Sequence, residues 1–448
     1  MEQWYAAVTA YLNEHRSEIV RDLFSLVRIP SIAKAGEDGL PFGKASDEAL
    51  TATAALYTAN GVPMTVKHEL GYAVAVLEGE GDGIGLFGHA DVVPVNDDWI
   101  TTQPFEPIEK DGIIYGRGIN DNKAGVVGSL YALKALKAAG ITPRRRITVF
   151  VGGSEETGGM TDVRAFVANE RQPAVCIVPD SGFPVSVGEK GILHVECRSR
   201  EVLSQVTKFD GGQAYNVVLD RVNVEYNGRA EVFEGLAAHA ANPERGENAA
   251  HKAAAALCER DDLCENDHRI VAGLRDTVCG HFGEEVDIAS EGVFGKLTCA
   301  NGIVRVDDGH LVFTLDIRYG NEFDYEAGIP RLIAALAARG YDTVSVSNDP
   351  GFLLDEGGAE MECILGACRD AAGKPEANPY KTYGGTYARR LKNAFAINHS
   401  LPWDKEALGL PAGHGGAHQS DECVSVEALL GGIGALALAI ARLDQLEE

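Results

Sequence analysis

Three apolar runs in the first two-fifths of this chain stop at glycine or proline and are followed within three residues by histidine or an acid. Residues 84–87 give way to Gly88-His89, residues 147–151 to Gly152-Gly153-Ser154-Glu155, and a third run closes on Pro179-Asp180. Runs of this length suit strands, and they alternate with stretches at helical spacing, 45–60 and 124–139. Such alternation predicts an α/β architecture, in which loops leaving the carboxyl ends of strands bring side chains from distant segments together.

Residues 187–352 follow another pattern. Strands at 194–198, 217–224 and 311–318 surround helices near 249–257 and 326–339, which is the signature of an α+β insertion. After it come a helix at 360–372, a glycine-bearing turn in GGTYARR, and a closing helix at 426–443. At 448 residues the chain exceeds one ordinary hydrophobic core. The expected plan is therefore an α/β domain built from residues 1–186 and 353–448, interrupted by an α+β domain at 187–352.

Composition narrows the functional classes. With 40 basic against 66 acidic residues the net charge is −26, which repels nucleic acid and anionic membranes and favours cation uptake. The amino-terminal segment carries apolar and charged residues at helical spacing and lacks the basic and apolar regions of a signal peptide. LLGGIGALALAIA near the carboxyl end is too short an apolar run to predict a membrane helix. Nine cysteines, an odd number with no CxxC pair, point to packing roles and a reducing cytoplasm. No Walker sequence supports a nucleotide site.

The residues able to do chemistry come as an ordered set: His89 and Asp91 in GHAD, Asp121 in GRGINDNK, Glu155 and Glu156 in GGSEETGG, Asp180 in VPDSGFP, and His418 in GAHQSDE. Taken singly, each has a plain alternative. Asp121 could cap a helix, Asp180 could form a turn, the two glutamates could lie in a solvated acidic turn, and His418 could be an ordinary loop histidine. Taken together, at strand ends and beside glycine or proline, they supply nitrogen and oxygen donors for two adjacent divalent cations. His89 and Asp91, two apart on an extended segment, share a side, so one can bind while the other orients it. Adjacent glutamates can divide the tasks of ligand and proton acceptor.

The motifs GHADVVP, GRGINDNKAG, EETGG, VPDSGFP, EKGI, HAANPERGENAA, LDIRY, GGTYARRL and AHQSDE resemble the co-catalytic metallopeptidase superfamily of aminoacylases, carnosinases and acetylornithine deacetylases, most closely its peptidase V type dipeptidases. The resemblance implies that His89 and Asp180 bind one metal, that Glu156 and His418 bind the other, and that Asp121 bridges them. It further implies Glu155 as general base, Asp91 as the support of His89, and a cis bond between Asp121 and Asn122. The inserted domain would be a lid carrying His239 for oxyanion stabilisation, Asn216 to assist it, and Arg318 to bind the substrate carboxylate. Two departures, NDNKAG and the missing glycine after VVP, bear on loop shape.

The metals expected are two zinc ions, with manganese or cobalt as alternatives for a site without thiolate. The expected function is a cytoplasmic, monomeric dipeptidase, with a dimer as the alternative assembly. An N-acyl amino acid amidohydrolase would use the same machinery, and a non-catalytic metal- or peptide-binding protein could keep the scaffold.

Overall fold

The computed structural model describes residues 2–446 apart from 35, 37 and 38. It divides into two compact units. One comprises residues 1–187, 354–380 and 385–448; the other comprises 188–353 and 381–384. The short return of 381–384 to the second unit was not anticipated from the sequence.

The first unit is built on a mixed sheet. At its centre run four parallel strands in the order Arg145–Gly152, Glu80–His89, Val175–Val178 and Ala394–Ile397. Antiparallel strands flank them, including Tyr72–Leu77 against Arg145–Gly152 and Val185–Glu189 against Ala394–Ile397. The parallel strands are apolar without alternation because both sheet faces are covered; Val175–Val178 and Ala394–Ile397 are buried throughout.

Helix Lys123–Ala138 is apolar on almost every face and packs against the strand Glu80–His89 and against the helices Tyr5–Glu14, Arg16–Val27 and Val426–Leu443. The last of these is longer than the apolar run noticed in the sequence. It has 18 residues and a mean hydropathy of 1.8, enough by length and composition to cross a membrane, yet 83% of it lies buried in the protein interior. A core helix between other helices has the same composition as a membrane span, so hydropathy alone does not separate them.

A small antiparallel sheet, Ile108–Lys110, Ile113–Tyr115 and Cys423–Ser425, completes this unit. It matters for function because pairing of Tyr115 with Cys423 draws the loop after residue 115 beside the loop before residue 423.

The second unit has its own core, formed by Leu193, Val195, Phe313, Leu315 and Leu332 among others. Its antiparallel sheet has His310–Tyr319 and Gly191–Ser199 as neighbours, with Tyr341–Asp349 at one edge. Burial in Gly191–Ser199 alternates residue by residue, as one strand face turned to a core requires. The strand expected at 217–224 is displaced: the ladder runs Arg221–Tyr226. Val218 and Leu219 instead donate their N–H groups to the carbonyls of Ala238 and Asn301, so the apolar residues that suggested a strand are held by loops.

Candidate metal centre

All four central parallel strands deliver residues to one place at their carboxyl ends, as expected for an open α/β sheet. The strand Glu80–His89 ends on His89 and leads to Asp91; Arg145–Gly152 leads to Glu155 and Glu156; Val175–Val178 leads to Asp180; and Ala394–Ile397 leads to Asn398 and His399. Asp121 arrives from the turn before helix Lys123–Ala138. It does not cap that helix, whose capping position is Asn122, and the Asp121–Asn122 bond is cis.

Asp121 turns one carboxylate oxygen to each of two imidazoles. Its Oδ1 lies 3.0 Å from His89 Nε2, and its Oδ2 lies 3.1 Å from His418 Nε2. Beyond His89 stands Asp180, at 3.4 Å, and beyond His418 stands Glu156, at 3.0 Å. Donor atoms of His89, Asp121 and Glu156 lie within 4.8 Å of one another, as do those of His89, Glu155 and Asp180.

The electrostatics call for a cation. Burial, reinforced by Asp121 and only partly offset by the histidines, pushes Glu156 up to about 7 and Asp180 up to about 6. Burial drives Glu155 well above the usual carboxylate range; His89 opposes this, while Asp180, Glu156 and Asp121 add to it. Burial also acts to raise Asp121, but hydrogen bonds from His418 and His89 outweigh it and hold this group low. For His418 burial is overcome by Asp121 and Glu156, which lift it to about 11. Too many carboxylates converge for two imidazoles to balance. Glu156 Oε1 is buried with no hydrogen-bond partner among the described residues, which leaves it a lone pair for a ligand.

Supporting residues fix the geometry. His89 Nδ1 is closer to the Asp91 carbonyl, at 3.0 Å, than to the Asp91 carboxylate, at 3.4 Å. That carboxylate accepts the backbone N–H groups of both Glu155 and Glu156, each at 3.1 Å. Asp91 thus clamps the histidine and the glutamate pair to one another, a double role that the two-residue spacing did not reveal.

Under the glutamate turn lies Asp162. It accepts the N–H groups of Gly153 and Ser154, each at 2.9 Å, and the hydroxyl of Tyr387 at 2.5 Å. Tyr387 belongs to GGTYARRL, whose buried tyrosine therefore supports the loop that bears Glu155. His399 was also missed. It lines a cleft of 140 Å³ with Asn120, Asp121, Asp180, Ser181, Asn398 and Ala417. Neither of its ring nitrogens has a hydrogen-bond partner among the described residues, and burial pushes it down to about 4. A lone histidine after an apolar strand carries no signal in sequence; only the shared strand ends could have suggested it.

The family model described as peptidase family M20/M25/M40 matches residues 85–442, which contain His89, Asp91, Asp121, Glu155, Glu156, Asp180 and His418. This chain belongs to that family. A Staphylococcus epidermidis protein bearing the name "Putative dipeptidase" is 26% identical to this M20 peptidase over 93% of its chain and 95% of the relative. Among solved structures, the dipeptidase Dug1p of Saccharomyces cerevisiae superposes with a TM-score of 0.68 at 12% identity, covering 100% of both chains. Human carnosine dipeptidase 1 gives a TM-score of 0.65 at 15% identity, covering 99% of this chain and 100% of that one. A Bacillus subtilis M20 protein described as a dinuclear metal-binding peptidase shares the fold with a TM-score of 0.53 at 11% identity, covering 96% of this chain and 99% of that one.

The other three residues expected at the site lie on the second unit. His239 and Asn216 sit on neighbouring loops: Val217 bridges to His239, and the Asn216 carbonyl accepts the Ala240 N–H at 2.9 Å. His239 Nδ1 accepts the Ala241 N–H at 3.1 Å, so the proton of the neutral ring is on Nε2. Arg318 is buried at the end of the strand His310–Tyr319, and its Nε and Nη2 engage Asp316 at 2.6 and 2.8 Å. Asp316 also pairs with His194 at 3.0 Å. Arg318 is therefore already committed to Asp316 on one edge of its guanidinium.

Proposed function

We propose that this M20 peptidase is a dinuclear metal-dependent dipeptidase. The observation that carries the reading is Asp121, with its two oxygens turned to His89 and His418 and with Asp180 and Glu156 standing behind them. His89 and Asp180 would hold one cation, Glu156 and His418 the other, and Asp121 would serve both. The donors are nitrogen and oxygen without thiolate, which suits zinc and also manganese or cobalt. When bound, the two cations supply Lewis acidity and a water of lowered pKa.

The protein's own groups do the rest. Glu155 lies beside the centre with its proton affinity raised by burial, which suits a group that accepts a proton and passes it to the leaving amine. Asp91 holds His89 and fixes the backbone of both glutamates. His239, protonated on Nε2, is suited to stabilise the developing oxyanion, with Asn216 assisting, and Arg318 to bind the substrate carboxylate.

The choice of dipeptides over N-acyl amino acids, or over a silent binding role, draws on the names of the relatives and on the retention of Glu155. The nine unpaired cysteines support a reducing, cytoplasmic location, and a monomer is the assembly inferred. The test is a panel of dipeptides and N-acetyl amino acids given to the zinc-, manganese- and cobalt-reconstituted protein. Preferential cleavage of dipeptides supports the reading, and cleavage of the acetylated compounds alone overturns it.

A further inference from the structure

Two ligand-bearing loops of the first unit meet at one buried ion pair that the catalytic reading leaves unused. Arg117 and Glu422 are 1% and 0% exposed and face each other at 2.6 Å, Nη1 to Oε2. The other carboxylate oxygen, Oε1, accepts three backbone N–H groups: Gly118 at 3.1 Å, Asn120 at 2.7 Å and Asp121 at 3.0 Å. The guanidinium donates in turn to the carbonyls of His418, at 3.3 Å, and Gln419, at 3.2 Å. The pair therefore grips the backbone of the bridging aspartate with one partner and that of the distal histidine with the other.

Stability alone is a weak explanation for this arrangement, because a buried ion pair recovers little more than the cost of removing both charges from water. Well-packed apolar residues would serve a core as well. What apolar residues cannot do is bond three converging N–H groups on one loop and two carbonyls on another. His418 also sits at φ 63°, a left-handed conformation that non-glycine residues adopt rarely and that the surroundings must impose. The Arg117 bond to its carbonyl is one such restraint.

We propose that the Arg117–Glu422 pair is the positioning element of the His418 side of the metal centre. It sets where Asp121 and His418 stand before a cation arrives, and so sets the affinity of the cation that these two residues and Glu156 share. Neither partner touches substrate. The proposal rests on the dinuclear reading given above.

The experiment is calorimetric titration of the metal-free full chain with Zn²⁺, on wild type, Glu422→Gln and Arg117→Lys, with folding checked by circular dichroism. Wild type should take two equivalents. Each variant should bind the equivalent on the His418 side roughly 10–100-fold more weakly, the usual effect of losing a residue that orients ligands, and the His89-side equivalent, which shares only Asp121 with it, less so. Excess Zn²⁺ should then restore activity, which it would not do for a general packing defect. A folded variant that binds both equivalents as wild type does overturns the proposal. So does unfolding of both variants, which would make the pair a stability element. A wild-type chain that takes fewer than two equivalents would instead sink the dinuclear reading itself.

Discussion

A single methyl group added at Gly152 should damage the protein out of proportion to its size. A Cβ built there stands 1.9 Å from the Tyr387 hydroxyl oxygen and 2.3 Å from Asp162 Oδ2, and both neighbouring side chains are buried. Overpacking of this kind costs about 1–3 kcal/mol. Pushing the hydroxyl away also breaks a hydrogen bond to a buried carboxylate, for about 1.5–3 kcal/mol more. Gly152→Ala should thus lose about 2.5–6 kcal/mol in the first unit.

The damage should reach catalysis, because Asp162 holds the N–H groups of Gly153 and Ser154 immediately before Glu155. A shift of about 1 Å there can lower kcat on the order of a hundredfold. The decisive comparison is the double variant with Tyr387→Phe. Since the nearest atom to the added methyl is the hydroxyl, its removal should return part of the loss, and urea denaturation of the four proteins should show clear non-additivity. Strict additivity, or a Gly152→Ala loss within about 0.5 kcal/mol, would refute the reasoning.

Other outcomes follow from the same geometry. Glu155→Gln should lower turnover by about two to four orders of magnitude with metal content intact, whereas Glu156→Ala should lose one metal equivalent, both read by activity and elemental analysis. His239→Ala should reduce kcat by roughly two to three orders of magnitude with unchanged metal content and melting temperature; unchanged turnover in folded, metal-loaded protein would remove it from the reaction. Glu156, Asp180 and Asp162 have folded values raised to about 7, 6 and 6, so the folded state binds their protons more tightly than the unfolded chain does. Metal-free protein should therefore lose stability as pH rises from about 4 to about 7, and Zn²⁺ should reverse the trend; denaturation midpoints measured across that window check the sign.

Much of this was legible in the chain because strand ends leave a local signature. Gly88-His89, Gly152 to Glu155 and Pro179-Asp180 each announced where a parallel strand stops, and the structure brings His89, Asp121, Glu156, Asp180 and His418 within reach of one another. Residues that act through backbone groups were invisible. Glu422 accepts N–H groups of a loop 301 to 304 residues away, Asp162 accepts those of Gly153 and Ser154, and Tyr387 donates its hydroxyl to Asp162 from the far end of the chain; no periodicity encodes such contacts. The first half of the strand expected at 217–224 is not strand for a similar reason, since Val218 and Leu219 satisfy their N–H groups on loops at Ala238 and Asn301. The tyrosine of GGTYARRL lies beneath the glutamate turn, where it would serve any amide substrate.

The central claim is that two cations and Glu155 are assembled here to cleave dipeptides. Its most direct test is one measurement on the zinc-reconstituted protein: metal stoichiometry together with kcat/KM for a free dipeptide and for its N-acetyl amino acid counterpart. The account predicts two equivalents of metal, cleavage of the dipeptide in preference to the acetylated compound, and loss of that cleavage in Glu155→Gln at unchanged stoichiometry. Two equivalents bound with no dipeptide hydrolysis would contradict it.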